Sequence, residues 1–385
     1  MKERMKLFVA WEEGESVSEL ARRFGISRKT AYKWIARASE RDGLRDRSSR
    51  PGRTPHKTPE SVERIVVAAR KRHPRWGPKK LPRVMRMIDP DVAIPAPSTI
   101  NAILKRNGLI VPRRRRRRGP SAPSPLTEYG AVNNVWCIDF KGDFRVGAKR
   151  CYPLTVMDGA SRFLIACQSM SRIRTQTVKK ALRRAFAEFG LPTIIRTDNG
   201  APFASRGAGG LSKLSVWWIN LGITPERIEP GKPQQNGRLE RFHRTLKDET
   251  ARPPAATLSA QQRRFDKFRA EYNELRPHES LDQRPPAEFY EPSTRILTRD
   301  ESLPRYPLHV ESYRTDRNGC IQWRGRRLRL NSCLDQQLVE VRKVADAHYD
   351  VYFGPARLGR FTKPNSKTKT IKLDTSLEVL PGLPV

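Results

Sequence analysis

Six consecutive arginines set the first limit on how this 385-residue chain can fold: Arg113, Arg114, Arg115, Arg116, Arg117 and Arg118. Charges that dense cannot pack on one another. The flanks (VPRRRRRRGPSAPSPL) are rich in Pro and Ser, so residues 113–127 read as an extended cationic connector that belongs to no core. The chain must therefore fold in pieces on either side of it, as its length also implies. The run is the peak of a general excess, since 76 Lys and Arg face 40 Asp and Glu for a net charge of +36. Such an excess costs self-repulsion and points to a polyanionic partner.

Other classes fall away. No stretch reaches the roughly 18 apolar residues of a membrane-spanning helix. The first residues, MKERMKLFVAWEEGES, are charged on both sides of a very short apolar run, unlike a secretory signal. The five cysteines (137, 151, 167, 320 and 333) form no CxxC pair and read as reduced core thiols. The histidines do not pair with them at zinc-finger spacing.

Ahead of the connector the pattern is all-α. In SVSELARRFGISRKTAYKWIARA, residues Val17, Leu20, Ala21 and Phe24 repeat at helical spacing, Gly25 breaks the chain and Ile26 fills the turn. Ser27 then caps a second helix with Thr30, Ala31, Trp34 and Ile35 inward. That is the rhythm of a helix-turn-helix. Its outer face carries Arg28, Lys29, Tyr32 and Lys33, suited to phosphates and base edges in a major groove. Residues 1–45 form this DNA-binding domain, and 46–59, rich in Pro, Ser, Gly and Arg, a linker. A second helix-turn-helix-like domain is expected over 60–112, with helices at 60–72 and 79–88 and a third that Ser98 caps and Gly108 ends. Pro82, near the start of its middle helix, counts against the assignment. The outer face of the third helix would hold Thr99, Asn101, Ala102, Lys105 and Arg106.

Behind the connector the period changes. Over 128–295, β-rich runs at 135–140, 151–157 and 163–168 are separated by turns at 142–147 and 158–161. An amphipathic helix at 175–190, a fourth strand at 193–197, a fifth within 222–228, and helices from about 236 to 250 and 259 to 275 follow. This order resembles the ribonuclease H-like fold, an α/β core with a mixed five-stranded sheet and helices. Residues 305–375 hold short β-patterned runs with Gly turns and many basic residues, expected to form a small DNA-binding β-barrel.

Three acids stand out. Asp139 lies among Val135, Trp136, Ile138 and Phe140, where an unpaired charge is costly and calls for a cation. Asp198 ends a strand at the tight turn made by Asn199 and Gly200. Glu240 sits on a helix opened by Gly237, with Arg241, Arg244 and Lys247 nearby. Carboxylates are the hard ligands that two divalent ions need for cutting and joining phosphodiesters. The rival acids fit structural roles instead: Asp143 and Asp158 lie in turn sequences, Glu226 and Glu229 come too early, and Glu249 lies at the helix end. Glu240 and His243 at i, i+3 lack the second such pair of a di-iron site, so His243 reads as a helix-face or DNA-facing residue.

Four segments in order, WCIDFKGDF, RTDNGAPF, PGKPQQNGRLERFHRTLKDE and YNELRPHESLDQRPPAEFY, resemble insertion-sequence transposases of the DDE class, whose catalytic core is shared with retroviral integrases. The resemblance implies that Asp139, Asp198 and Glu240 are catalytic ligands of two Mg²⁺ ions, with Mn²⁺ as a substitute. It implies that Lys247, and Arg244 on the same helix face, meet DNA near the site. The implied reaction is hydrolysis at an element's end, freeing a 3′-hydroxyl that then attacks target DNA. The implied partners are double-stranded DNA, as terminal inverted repeats and as target, and further copies of the chain in a dimer or tetramer on DNA; neither a membrane nor a small-molecule substrate is expected. The implied location is the cytoplasm, on a prokaryotic nucleoid. The six arginines would follow the DNA backbone between reader and cutter; a nuclear localisation signal is the competing reading of such a run. A DNA-binding regulator or domesticated transposase without strand transfer, and a plain ribonuclease H-like nuclease, are the alternatives. The chain departs from the best-known members in the longer spacing of 41 residues between Asp198 and Glu240, and the surplus is expected to loop out within FASRGAGGLSKLS. Helix-turn-helix units also replace the zinc-binding His/Cys domain of integrases.

Overall fold

The computed structural model describes residues 2–40, 43–46, 58–110, 126–298, 304, 306–307, 309–363 and 370–375, so the six connector arginines lie outside the described residues. The chain divides into two compact units, Met1–Pro59 and Glu60–Val385.

The first unit is three helices: α1 (Lys2–Glu12), α2 (Val17–Arg23) and α3 (Arg28–Ala38). A reciprocal cap starts α2, where the Ser16 side chain accepts from the Glu19 N–H and the Glu19 carboxylate accepts from the Ser16 N–H. Gly25, at φ +63°, makes the turn. The Ser27 hydroxyl accepts from the Thr30 N–H to open α3, as its sequence predicts. Leu7, Leu20, Ala21 and Ala31 are buried, which leaves Arg28, Lys29, Tyr32 and Lys33 exposed. No local pattern in the sequence announces α1. It is held by contacts distant in sequence, with the Arg4 guanidinium 3.8 Å above the Trp34 ring and 2.6 Å from Asp46.

The second unit opens with α4 (Glu60–Arg72), α5 (Leu81–Ile88) and α6 (Pro97–Arg106), packed around Val66, Trp76, Leu81, Met85, Ile100 and Ile103. Pro82 falls in the first turn of α5, where a missing N–H costs nothing, so it does not count against the helix. The expected Ser98 cap is corrected. Ala96 is the N-cap, Pro97 opens α6, and no side chain caps it.

The core sheet is built from β1 (Val135–Phe140), β2 (Phe144–Val146), β3 (Lys149–Asp158), β4 (Leu164–Met170), β5 (Ile194–Thr197) and β6 (Thr224–Arg227). All five expected strands are present in the order β4-β3-β1-β5-β6. The turn expected at 142–147 instead contains β2, which pairs with the start of β3 and makes the sheet six-stranded. β1, β5 and β6 run parallel, and β3 is antiparallel to both β1 and β4. Alternation along β1 splits its side chains between two cores. Trp136 and Ile138 join the cluster under α7 (Thr175–Phe189) and α8 (Lys213–Asn220). Val135 and Cys137 join the cluster under α9 (Gly237–Thr250) and α10 (Leu258–Ala270).

The expected C-terminal barrel is also corrected. β7 (Ser312–Arg314), β8 (Cys320–Trp323), β9 (Arg326–Arg329), β10 (Leu338–Ala345), β11 (His348–Phe353), β12 (Ala356–Thr362) and β13 (Thr370–Ile371) form two open sheets, ordered β12-β11-β10-β7 and β13-β9-β8. The two sheets share one core around Trp323, Leu328, Val339, Val351, Phe353 and Phe361. Strands as short as β7 and β13 are too small to carry a ladder round a closed barrel. The same core takes in Ala208 and Leu211 from the segment expected to loop out after Asp198, and Val216 and Ile219 from α8. That segment is a seat. The buried Asn331 amide donates to the carbonyls of Ala208 and Leu211, each at 3.1 Å. A Cβ on Gly207 would lie 2.6 Å from the same amide nitrogen.

Candidate active site

Strand pairing brings the two aspartates together. Cys137 on β1 lies opposite Arg196 on β5, and Asp139 and Asp198 each come two residues later on parallel neighbours. Asp139 shares the pleat face of Val135 and Cys137, which looks toward α9. Its carboxylate accepts from the Phe140 N–H at 2.7 Å, and that of Asp198 accepts from the Gly200 N–H at 3.1 Å. Burial, then the charge of Asp198, raises the Asp139 carboxyl to about 7, with Glu240 adding to the effect.

Glu240 is exposed in the first turn of α9, and Leu239, Phe242 and Leu246 on that helix pack into the sheet. One turn on, His243, expected on a helix face or facing DNA, turns toward the sheet instead. It is buried, with Nε2 2.8 Å from the Thr155 hydroxyl and Nδ1 3.7 Å from Asp139. The single Thr155 hydroxyl proton goes to the Asp139 carbonyl at 3.0 Å, so the hydroxyl accepts from Nε2–H and the Nδ1 lone pair faces the carboxylate. Burial, then Lys141, lowers His243 to about 3, so it brings no charge to Asp139 near neutral pH.

Each rival acid is occupied structurally. Asp158, fully buried, accepts from the N–H groups of Asn133 and Ser161 and from the Ser161 hydroxyl. Asp143 pairs with Arg150, Glu226 with Arg196 at 2.5 Å, Glu229 with Lys232, and Glu249 with Arg276 at 2.5 Å. Among the described residues, neither Asp198 nor Glu240 has an ion-pair partner, and no Lys or Arg bridges to Asp139. No three His, Cys, Asp or Glu side chains among the described residues close on a ready-made metal site, so the three acids share a field rather than one point. Converging carboxylates with no bridging protein cation fit a hard divalent ion, which would relieve the cost that raises Asp139.

A lysine that sequence reasoning missed joins Lys247 beside the acids. Lys141, two residues past Asp139, lies near Lys247. Burial, then the charge of Lys247, lowers its pKa. Both line a small cleft with Asp143, Phe144 and Pro153. The signal was present in IDFKGDF, but only the approach of α9 to β1 brings the two lysines together. Lys247 and Arg244 are exposed, as expected. On α6, Asn101, Ala102 and Lys105 are exposed, Thr99 is half-buried, and Arg106 pairs with Glu63 at 3.0 Å.

Comparison with known proteins agrees with this architecture. An integrase core domain matches over residues 130–233 and 221–286. A helix-turn-helix domain matches over 3–52, and a homeodomain-like domain over 30–104. The chain is 35% identical over 192 residues to the insertion element IS407 uncharacterized 31.7 kDa protein of Burkholderia multivorans, covering 49% of this chain and 67% of that one. It is 29% identical over 283 residues to the insertion element IS476 uncharacterized 39.2 kDa protein of Xanthomonas euvesicatoria, covering 72% and 79%. Among solved structures it matches the HTLV-2 integrase catalytic core domain in complex with magnesium, at 16% identity and TM-score 0.34, over 42% of this chain and 99% of that one. A half-buried strand-end acid beside a second one, a helix carrying the third acid across the same face, and helix-turn-helix units ahead of them complete the pattern: the chain belongs to the insertion-sequence transposases with an integrase-like core.

Proposed function

We propose that this protein binds the terminal inverted repeats of its element and catalyses metal-dependent strand cleavage and strand transfer with Asp139, Asp198 and Glu240. The observation that carries the reading is the convergence of Asp139 and Asp198 without a bridging protein cation, at a cost that raises Asp139 to about 7. Asp139 and Asp198 would hold Mg²⁺ from the strand ends, and Glu240 would complete its ligands from α9. Mg²⁺ bound there would polarise the scissile phosphate and favour the deprotonated attacking oxygen. His243 and Thr155 tie α9 to β3, which fixes the level of Glu240 against the sheet. Lys141 and Lys247 would hold phosphate oxygens beside the acids. The exposed face of α3, with Arg28, Lys29, Tyr32 and Lys33, would read the repeats, and Asn101 and Lys105 of α6 would add contacts. The C-terminal sheets would grip DNA through their basic strands, and joining two ends would require more than one copy.

The test uses a labelled duplex carrying the sequence that flanks the gene, incubated with Mg²⁺ and either the parent protein or Asp198→Ala. Nicking and joined product from the parent, and at least about a thousandfold less from the variant, are expected for loss of a metal ligand worth several kcal/mol. Binding without nicking by the parent would sink the enzymatic reading. Nicking without joined product would favour a nuclease.

A further inference from the structure

Strand direction places a second basic feature at the catalytic end of the sheet. Thr155 pairs with Asp139 on one side and Cys167 on the other, so β4 runs parallel to β1 and leaves the sheet at the same end. The chain then turns through Arg172 and Arg174 into α7, which carries Lys180 and Arg184 on its solvent side. These four side chains are exposed and have no hydrogen bond or ion pair among the described residues. Beside them Lys179 and Arg183 lie over the Trp217 ring, at 4.7 and 5.8 Å, which braces a second cationic row.

This arrangement is unfavourable in the free protein. Lys180 and Arg184 are like charges at i, i+4, as are Lys179 and Arg183. Cations near a helix N-terminus also oppose its dipole, and the first turn of α7 has no acidic residue. A polyanion relieves both costs. The opposite face of α7, with Val178, Leu182, Ala185 and Phe186, is fixed in the sheet core, so only its cationic outer face is open to a duplex. Rows of Lys and Arg on that face suit phosphate oxygens, which carry no sequence information. From Arg172 to Arg184 the track spans ~18 Å at helical rise, about five base-pair steps of duplex.

We infer that the Arg172–Arg174 turn and the outer face of α7 form a sequence-independent platform for the target duplex, its turn at the sheet end that carries Asp139 and Asp198. The platform rests on the strand-transfer reading above. Sequence-independent contact suits the target, because the repeats have their own readers in the N-terminal helices. A second copy of the chain fits the face poorly, since it would meet six cations.

The experiment uses the full chain with Lys180→Gln and Arg184→Gln combined, and separately Arg172→Gln with Arg174→Gln. Three measurements are made against the parent: affinity for a random-sequence duplex across a salt series, nicking of the labelled end duplex, and joining of a pre-nicked end into a plasmid target. Each double variant should lower the salt slope of random-duplex binding by about 2, as expected for two lost phosphate contacts. Each should raise the target concentration needed for half-maximal joining at least fivefold, with end nicking and melting temperature unchanged. An unchanged salt slope would overturn the inference, as would an equal loss of end nicking or a changed oligomeric state with intact duplex binding. If the parent neither nicks nor joins, the strand-transfer reading fails, whereas the salt slope still decides whether this face holds duplex.

Discussion

Lys141 and Asp158 illustrate how two residues of the same core separate by environment. Lys141 faces Lys247 beside the acids and has no ion pair among the described residues. Lys141→Ala should cut end nicking about 10- to 100-fold, the effect of losing one charge-assisted hydrogen bond to phosphate, while the melting temperature stays within a degree or two. Loss of fold without a change in specific activity would remove Lys141 from the site. Asp158 is the converse case. Its carboxylate satisfies two backbone N–H groups and a hydroxyl in full burial, so Asp158→Ala should destabilise the core by about 3 kcal/mol in denaturant unfolding. Sequence read Asp158 correctly, because turn chemistry is local: Met-Asp-Gly announces a structural aspartate. It misplaced His243, because the Thr155 hydroxyl that holds the ring comes from a strand 88 residues away.

At the scale of elements, two contacts govern how pieces of the second unit stay together. Asn331 pins the 208–211 segment to the C-terminal sheets through two carbonyls. Asn331→Ala should cost about 2 kcal/mol and raise amide exchange at residues 204–212, because two buried acceptors lose their donor. A free loop there would show no such change. His73, just past α4, donates from Nδ1 to Glu271 at 2.9 Å. That hydrogen bond, against the cost of burial and with help from Arg276 and Lys267, holds the Glu271 carboxyl below its ordinary range. A depressed carboxyl adds stability above the ordinary carboxyl range and loses it as pH falls through the depressed value. The melting-temperature deficit of Glu271→Gln should therefore be full above about pH 5 and vanish on acidification. A deficit constant down to strong acid would contradict it. Apart from α1 and α8, the helices and the five main strands were legible because each carries its own period and punctuation. The seat at 208–211 was not: glycine-rich composition reads as a loop, and only the arrival of Asn331 over Gly207 gives those glycines a packing reason.

For the whole molecule, the division at Pro59 predicts two calorimetric transitions, a small one for Met1–Pro59 and a large one for the remainder, since unfolding enthalpy scales with residues unfolded. One cooperative transition would refute the division. The charge balance, the order of helical and α/β parts, and the choice of Asp139, Asp198 and Glu240 as candidates could all be read along the chain, because each follows from residue type and short-range spacing. The folded chain alone shows that Asp139 and Asp198 converge, that Lys141 meets Lys247, and that the C-terminal strands form two open sheets on a seat from the core. Those outcomes depend on strand register and on which apolar faces bury one another, and both are settled by contacts between segments far apart in the chain.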